Sequence, residues 1–157
     1  MSEIVLSRGQ IALVDDEDLP KVSGYRWRLD KNGYVRTSVG RGCIYLHRLV
    51  MDSKPGEKTD HRHHNKLDNR KAELRKCNQH QNMGNARTQT RPKSSVFKGV
   101  CWHTQRSKWL AGIKKTVNGK KRSVYLGVFT DEISAARAYN VAALEHFGSK
   151  FALLNPV

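Results

Sequence analysis

Residues 58–87, KTDHRHHNKLDNRKAELRKCNQHQNMGNAR, are the stretch on which the reading of the whole chain turns. Its pattern predicts a short strand over 58–61, a polar loop rich in Asn, Asp and Lys up to Ala72, a second strand over 74–77 and a helix over 79–88. Asp60 and His61 are neighbours, so an extended backbone sends their side chains to opposite faces. One can hold a cation while the other faces a water. A hard cation such as Mg²⁺ prefers oxygen ligands and keeps several waters, so one carboxylate and one amide oxygen suffice from the protein. Asn82 is the best candidate on the helix. This set suits phosphodiester hydrolysis, which needs an activated water, a cation on the developing charge and help for the leaving oxygen.

The run DHRHHNKLDNRKAELRKCNQHQN resembles the HNH (ββα-metal) endonucleases, especially the homing type of phages and introns, whose pattern runs roughly DHxxxNxLxNxxxNLxxxxxxxN. The resemblance implies Asp60 and Asn82 as metal ligands, His61 as general base and one Mg²⁺ or Mn²⁺ per site. The pattern's central Asn, which in the family braces the loop carrying the base, is replaced by Glu73. A carboxylate accepts backbone N–H bonds but lacks the amide's donor. Asn69 stands nearby as a compensating brace, and an ion pair from Glu73 to Arg70, Arg75 or Lys76 is another. Glu73 therefore joins His61 in the catalytic set. A zinc cluster built on His61, His63, His64 and His80 is disfavoured. Cys43, Cys77 and Cys101 form no CxxC half-site, so no structural zinc is expected.

Upstream, 3–6 and 10–14 read as short strands. The acidic run Asp15, Asp16, Glu17, Asp18 before Leu19-Pro20 reads as a helix start or turn, where acids complement orphan N–H groups, rather than as a metal site. WRLDKNGYVRTSV, with its Lys31-Asn32-Gly33 turn, predicts a hairpin. GCIYLHRLVM follows, and together with LVDDEDLPKVSGYRWRL it resembles the amino-terminal module of the homing-type group. His47 there reads as a packed core histidine, and Arg48 as a phosphate contact.

Downstream, the polar TQTRPKSS at 88–95 reads as a linker. FKGVCWHT, SKWLAGIKK and KRSVYLGVF are three strand-like runs, with Asn118-Gly119 a hairpin turn between the second and third. A helix follows over DEISAARAYNVAALEHFG, expected to be capped by Thr130 and stopped by Gly148. Gly99-Val100, Trp109, Ala111, Ile113, Leu126-Gly127, Phe129, Ala135-Ala136, Ala138-Tyr139, Ala142-Ala143, Phe147-Gly148 and Asn155 make this segment similar to the plant ethylene-response-factor domain of the Apetala-two type. That resemblance implies a sheet lying in the DNA major groove with a helix behind it. The reading and contact positions would then include Lys98, Trp102, His103, Trp109, Lys114, Arg122 and Tyr125. Cys101 and Gly112 stand where the family has Arg and Glu, and Lys114 where it has Arg, so the plant base preference does not carry over.

Net charge is +15, and it is uneven: residues 1–85 hold 16 Lys/Arg against 11 Asp/Glu, net +5, and residues 86–157 hold 13 against 3, net +10. Such an excess implies a polyanionic partner, with nucleic acid the better reading, and the two resemblances imply that it is double-stranded DNA. No basic amphipathic helix, long apolar run or signal pattern argues for a membrane, so the expected compartment is the cytoplasm of a phage-infected or bacterial cell, with reduced thiols. The expectation is an α+β chain. Residues 1–87 would form an N-terminal module and nuclease domain with its catalytic unit at 58–87, and 96–157 a small three-stranded antiparallel sheet packed on one helix. Its function would be metal-dependent DNA cleavage, as a monomer or homodimer. The alternative is a DNA-binding regulator whose nuclease unit is weakened by Glu73.

Overall fold

A computed structural model describes residues 1–86, 94–117 and 120–157. The expected linker up to Lys93, and Asn118 and Gly119 of the expected hairpin turn, lie outside the described residues. The chain is α+β and divides into two compact units, Met1–Asn78 and Gln79–Val157.

In the first unit, β1 (Ser2–Val5) and β2 (Ile11–Val14) form an antiparallel hairpin. The acidic run then makes a 3₁₀ turn, Asp16–Asp18, leading into the short α1 (Leu19–Val22) with Pro20 in its first turn, as the sequence implied. A three-stranded antiparallel sheet follows, ordered β3 (Arg28–Leu29), β4 (Val35–Val39) and β5 (Gly42–Tyr45). Then come α2 (Leu46–Val50) and a second hairpin, β6 (Lys58–His61) with β7 (Leu74–Cys77). Val14, Val22, Trp27, Val35, Leu46, Val50 and Leu74 fuse these small sheets into one core. Trp27 donates its indole N–H to the carbonyl of Val22 (2.9 Å), so the ring is buried without an orphaned donor.

The second unit holds α3 (Gln79–Asn85), a sheet ordered β10 (Lys120–Phe129), β9 (Lys108–Val117), β8 (Val100–His103), and α4 (Glu132–Phe147). The sequence grouped α3 with the first half; its packing places it here. A Cβ on Gly84 would come within 2.7 Å of the Phe147 ring, so α3 lies on α4 at a distance only glycine allows. Alanines 135, 136, 142 and 143 are buried and let α4 approach the sheet through Val100 and Ala111. The cap of α4 is Asp131, whose Oδ1 accepts from Ser134 N (2.7 Å), rather than Thr130. Gly148 ends the helix at φ +74°, as read. Gly99, at φ +77°, has no room for a side chain, since a Cβ would fall 2.1 Å from Tyr139. Asn155 closes the unit: its side chain bonds both backbone groups of Lys98, and its backbone exchanges two bonds with the Asn140 amide.

Candidate functional site

The β6–β7 register decides what Asp60 and His61 meet. Asp60 faces Arg75 and His61 faces Leu74 across the ladder, so the pair do point to opposite sides. On one side the Asp60 Oδ2 accepts from Arg75 Nε (3.0 Å) and Nη2 (2.7 Å), with both side chains almost wholly buried. On the other, His61 is buried beside Asn69, which is fully buried.

Asn69 fixes the chemistry of the ring. Its Nδ2 donates to the carbonyls of Lys66 (3.3 Å) and Leu67 (3.1 Å), so its Oδ1 is the atom facing His61 Nε2 at 3.4 Å. An amide oxygen only accepts; Nε2 therefore carries the proton and Nδ1 the lone pair. Burial pushes the His61 pKa below its usual value, partly offset by the Asn69 bond, which keeps the ring neutral and fit to act as a base. His47 packs edge-on against it, ring centroids 5.2 Å apart, with Tyr34 and Tyr45 completing an aromatic wall. The Nδ1 of His47 is buried with no hydrogen-bond partner among the described residues, and burial with the neighbouring His61 pushes its pKa down to about 3.

The loop between the strands is held from three directions. It is sewn to β2 by Leu13 N to Leu67 O and Asn69 N to Leu13 O, both 2.8 Å. The acidic run clamps it through Lys71, whose backbone N–H donates to Asp15 (2.8 Å) and whose ammonium meets Glu17 (2.6 Å) and Asp18 (3.1 Å). Glu73 ties its far end to His63, Oε2 to Nδ1 2.6 Å, rather than to the expected Arg70, Arg75 or Lys76. Those three are engaged elsewhere, with Asp68, Asp60 and Glu57. Glu73 thus lies away from Asp60's pairing and braces the loop beside Asn69.

Among the described residues no three His, Cys, Asp or Glu side chains converge as a metal cage. A cation here would rest on Asp60 with amide and water oxygens, a donor set that fits a hard divalent ion. Asn82 is half-buried on α3, within the second unit.

No family model and no solved structure matches the chain. It is 35% identical over 163 aligned residues to an uncharacterized HNH endonuclease of Acanthamoeba polyphaga mimivirus, covering 96% of this chain and 77% of that protein. The chain belongs to the HNH endonuclease family. About a third of this HNH-family chain is also similar to AP2-like ethylene-responsive transcription factors. One from Arabidopsis thaliana is 37% identical over 62 residues (36% of this chain, 14% of that protein), and one from Oryza sativa is 42% identical over 55 residues (35% and 8%). The chain therefore spans only a small part of the plant relatives' length.

In this HNH-family chain the sheet register sorts the positions expected to meet nucleic acid. His103, Lys114 and Tyr125 alternate with the buried Val100, Ala111 and Ile113, and so face away from α4 together with Cys101 and Lys108. Trp102 and Trp109 are cross-strand partners on the helix side, rings 5.1 Å apart at the rim of the core, and Arg122, opposite Lys115, shares their parity. Lys98 is inward: its ammonium donates to Gly84 O (2.7 Å), burial lowers its pKa to about 8, and it ties α3 to the sheet. Arg48, on α2, donates to Lys54 O (2.9 Å). The Asp60–Arg75 pair and the Asn69–His61 pair are contacts of the candidate site that the sequence did not single out. The first was readable from the strand register once both strands were placed.

Proposed function

We propose that this protein is a metal-dependent DNA endonuclease that hydrolyses phosphodiester bonds and is brought to its substrate by the sheet of its second unit. The observation that carries this reading is the buried His61, its tautomer set by Asn69, one residue from a carboxylate oriented by Arg75. His61 Nδ1 takes the proton of the attacking water, and Asn69 holds the ring so that Nδ1 is the basic atom. Asp60 is the oxygen ligand for Mg²⁺ or Mn²⁺, and Asn82 is kept as the second on the family pattern alone. When bound, the cation neutralises charge on the scissile phosphate and the leaving oxygen. Arg75 keeps the Asp60 carboxylate in one orientation. Glu73 serves as a brace through His63, which favours an active nuclease over the weakened-regulator alternative.

The outward face of the second sheet, with Lys108, Lys114 and Tyr125, is the DNA-binding surface, and the linked units raise each other's local concentration on one duplex. A single site cuts one strand at a time, so a monomer nicks and a double-strand break needs a second copy. Supercoiled plasmid incubated with the protein and Mg²⁺ tests this: open circles should form and EDTA should stop them. Plasmid left supercoiled at every Mg²⁺ and Mn²⁺ concentration contradicts the proposal.

A further inference from the structure

The first unit contains a depression of about 900 Å³ that the active site does not use, lined by Arg8, Arg28, Asp30, Lys31, Arg36 and Tyr45 among others. Four cations meet one acid there. That acid is occupied by its own turn and by β5: Asp30 Oδ1 accepts from the backbone N–H groups of Asn32 (2.8 Å) and Tyr34 (2.9 Å), and Oδ2 from the Tyr45 hydroxyl (3.4 Å). The arginines are left with excess charge.

The β3–β4 register adds an independent sign. Arg28 and Arg36 are directly opposed cross-strand partners, an arrangement that destabilises an antiparallel pair because the like charges repel. The Arg28 Nη2–H donates to Ser38 Oγ (2.7 Å), which orients the guanidinium without neutralising it. Opposed arginines cease to be a liability when an anion lies against them, and planar guanidinium groups suit phosphate oxygens.

Position identifies the anion. Tyr45 lines the depression and its ring stands 5.6 Å from His47, which stands 5.2 Å from His61. We infer that this groove holds backbone phosphates of the DNA duplex next to the bond cut by the water that His61 activates. It is a second DNA contact, separate from the sheet of the second unit, and it aligns the strand for cleavage. The inference rests on the nuclease reading.

The test uses the full chain carrying His61→Ala, so that binding is read without cutting, with a fluorescent duplex titrated across a salt series. Log affinity falls with log salt by about 0.9 per phosphate neutralised, so adding Arg8→Ala, Arg28→Ala and Arg36→Ala should flatten the slope by about 2 to 3. The matching triple lysine variant should restore most of it, since charge rather than fold is at issue. Arg28→Thr alone should weaken binding while preserving or raising the thermal midpoint, because it removes a repulsion. A merely structural arginine would lower both. An unchanged slope in the triple variant overturns the inference, as does loss of slope in the lysine variant or competition by a small phosphate ester in place of duplex. Plasmid nicking is read separately, on the protein that keeps His61, so an unchanged slope with intact nicking sinks only the groove. A lost slope without nicking sinks only the nuclease.

Discussion

Asn69 is the residue on which the chemistry of His61 depends, and its three polar contacts cannot all survive substitution. Asn69→Asp keeps an acceptor toward His61 but leaves the carbonyls of Lys66 and Leu67 without their donor. Stability should fall by about 1–3 kcal/mol, read by thermal melting, and cleavage should fall further than stability explains. Glu73→Asn should leave the midpoint of a Mg²⁺ titration of activity unchanged and preserve or raise the rate, since Glu73 reaches His63 rather than Asp60. A severe loss of metal affinity in that variant would make Glu73 a ligand. His47 sets a pH dependence. Its pKa lies near 3 in the folded chain against an ordinary 6.5, so the unfolded chain binds the extra proton and stability is lost as pH falls from about 6.5 toward 3. Each pH unit costs up to about 1.4 kcal/mol in that window. Calorimetry at pH 7 and pH 5 should show a smaller drop in His47→Phe than in the parent, and equal drops would contradict this assignment.

Among the elements, the glycine contacts are the most exposed to a single change. Gly99→Ala puts a methyl on a left-handed residue and into the Tyr139 ring, and should lower stability by about 2 kcal/mol or more, with a matching fall in the thermal midpoint. An unchanged midpoint would mean that β8 and α4 pack differently. The strands 58–61 and 74–77, the hairpin around Lys31-Asn32-Gly33 and the helix stopping at Gly148 were all legible, because alternation, turn residues and caps are local signals. Partners across long separations were not. Nothing local says that the acidic run at 15–18 would grip Lys71, that Glu73 would choose His63, or that Lys98 would turn inward to Gly84. Asn69 was visible as a neighbour of the brace position, but its bond to His61 depends on how the loop folds against β2, which periodicity does not encode.

At the scale of the whole chain, the charge of +15 is weighted toward residues 86–157, while the candidate catalytic base lies in the first unit. Binding and cutting should therefore separate. Lys114→Ala with Tyr125→Ala should weaken duplex affinity and leave the metal requirement of cleavage unchanged. The converse variant is the most direct test of the central claim. Supercoiled plasmid cleavage and duplex binding should be measured side by side for the parent protein and His61→Ala in Mg²⁺. The account predicts a cleavage rate lowered by about 10²–10⁴-fold with duplex affinity within about twofold of the parent. Cleavage at the parental rate by His61→Ala would contradict it.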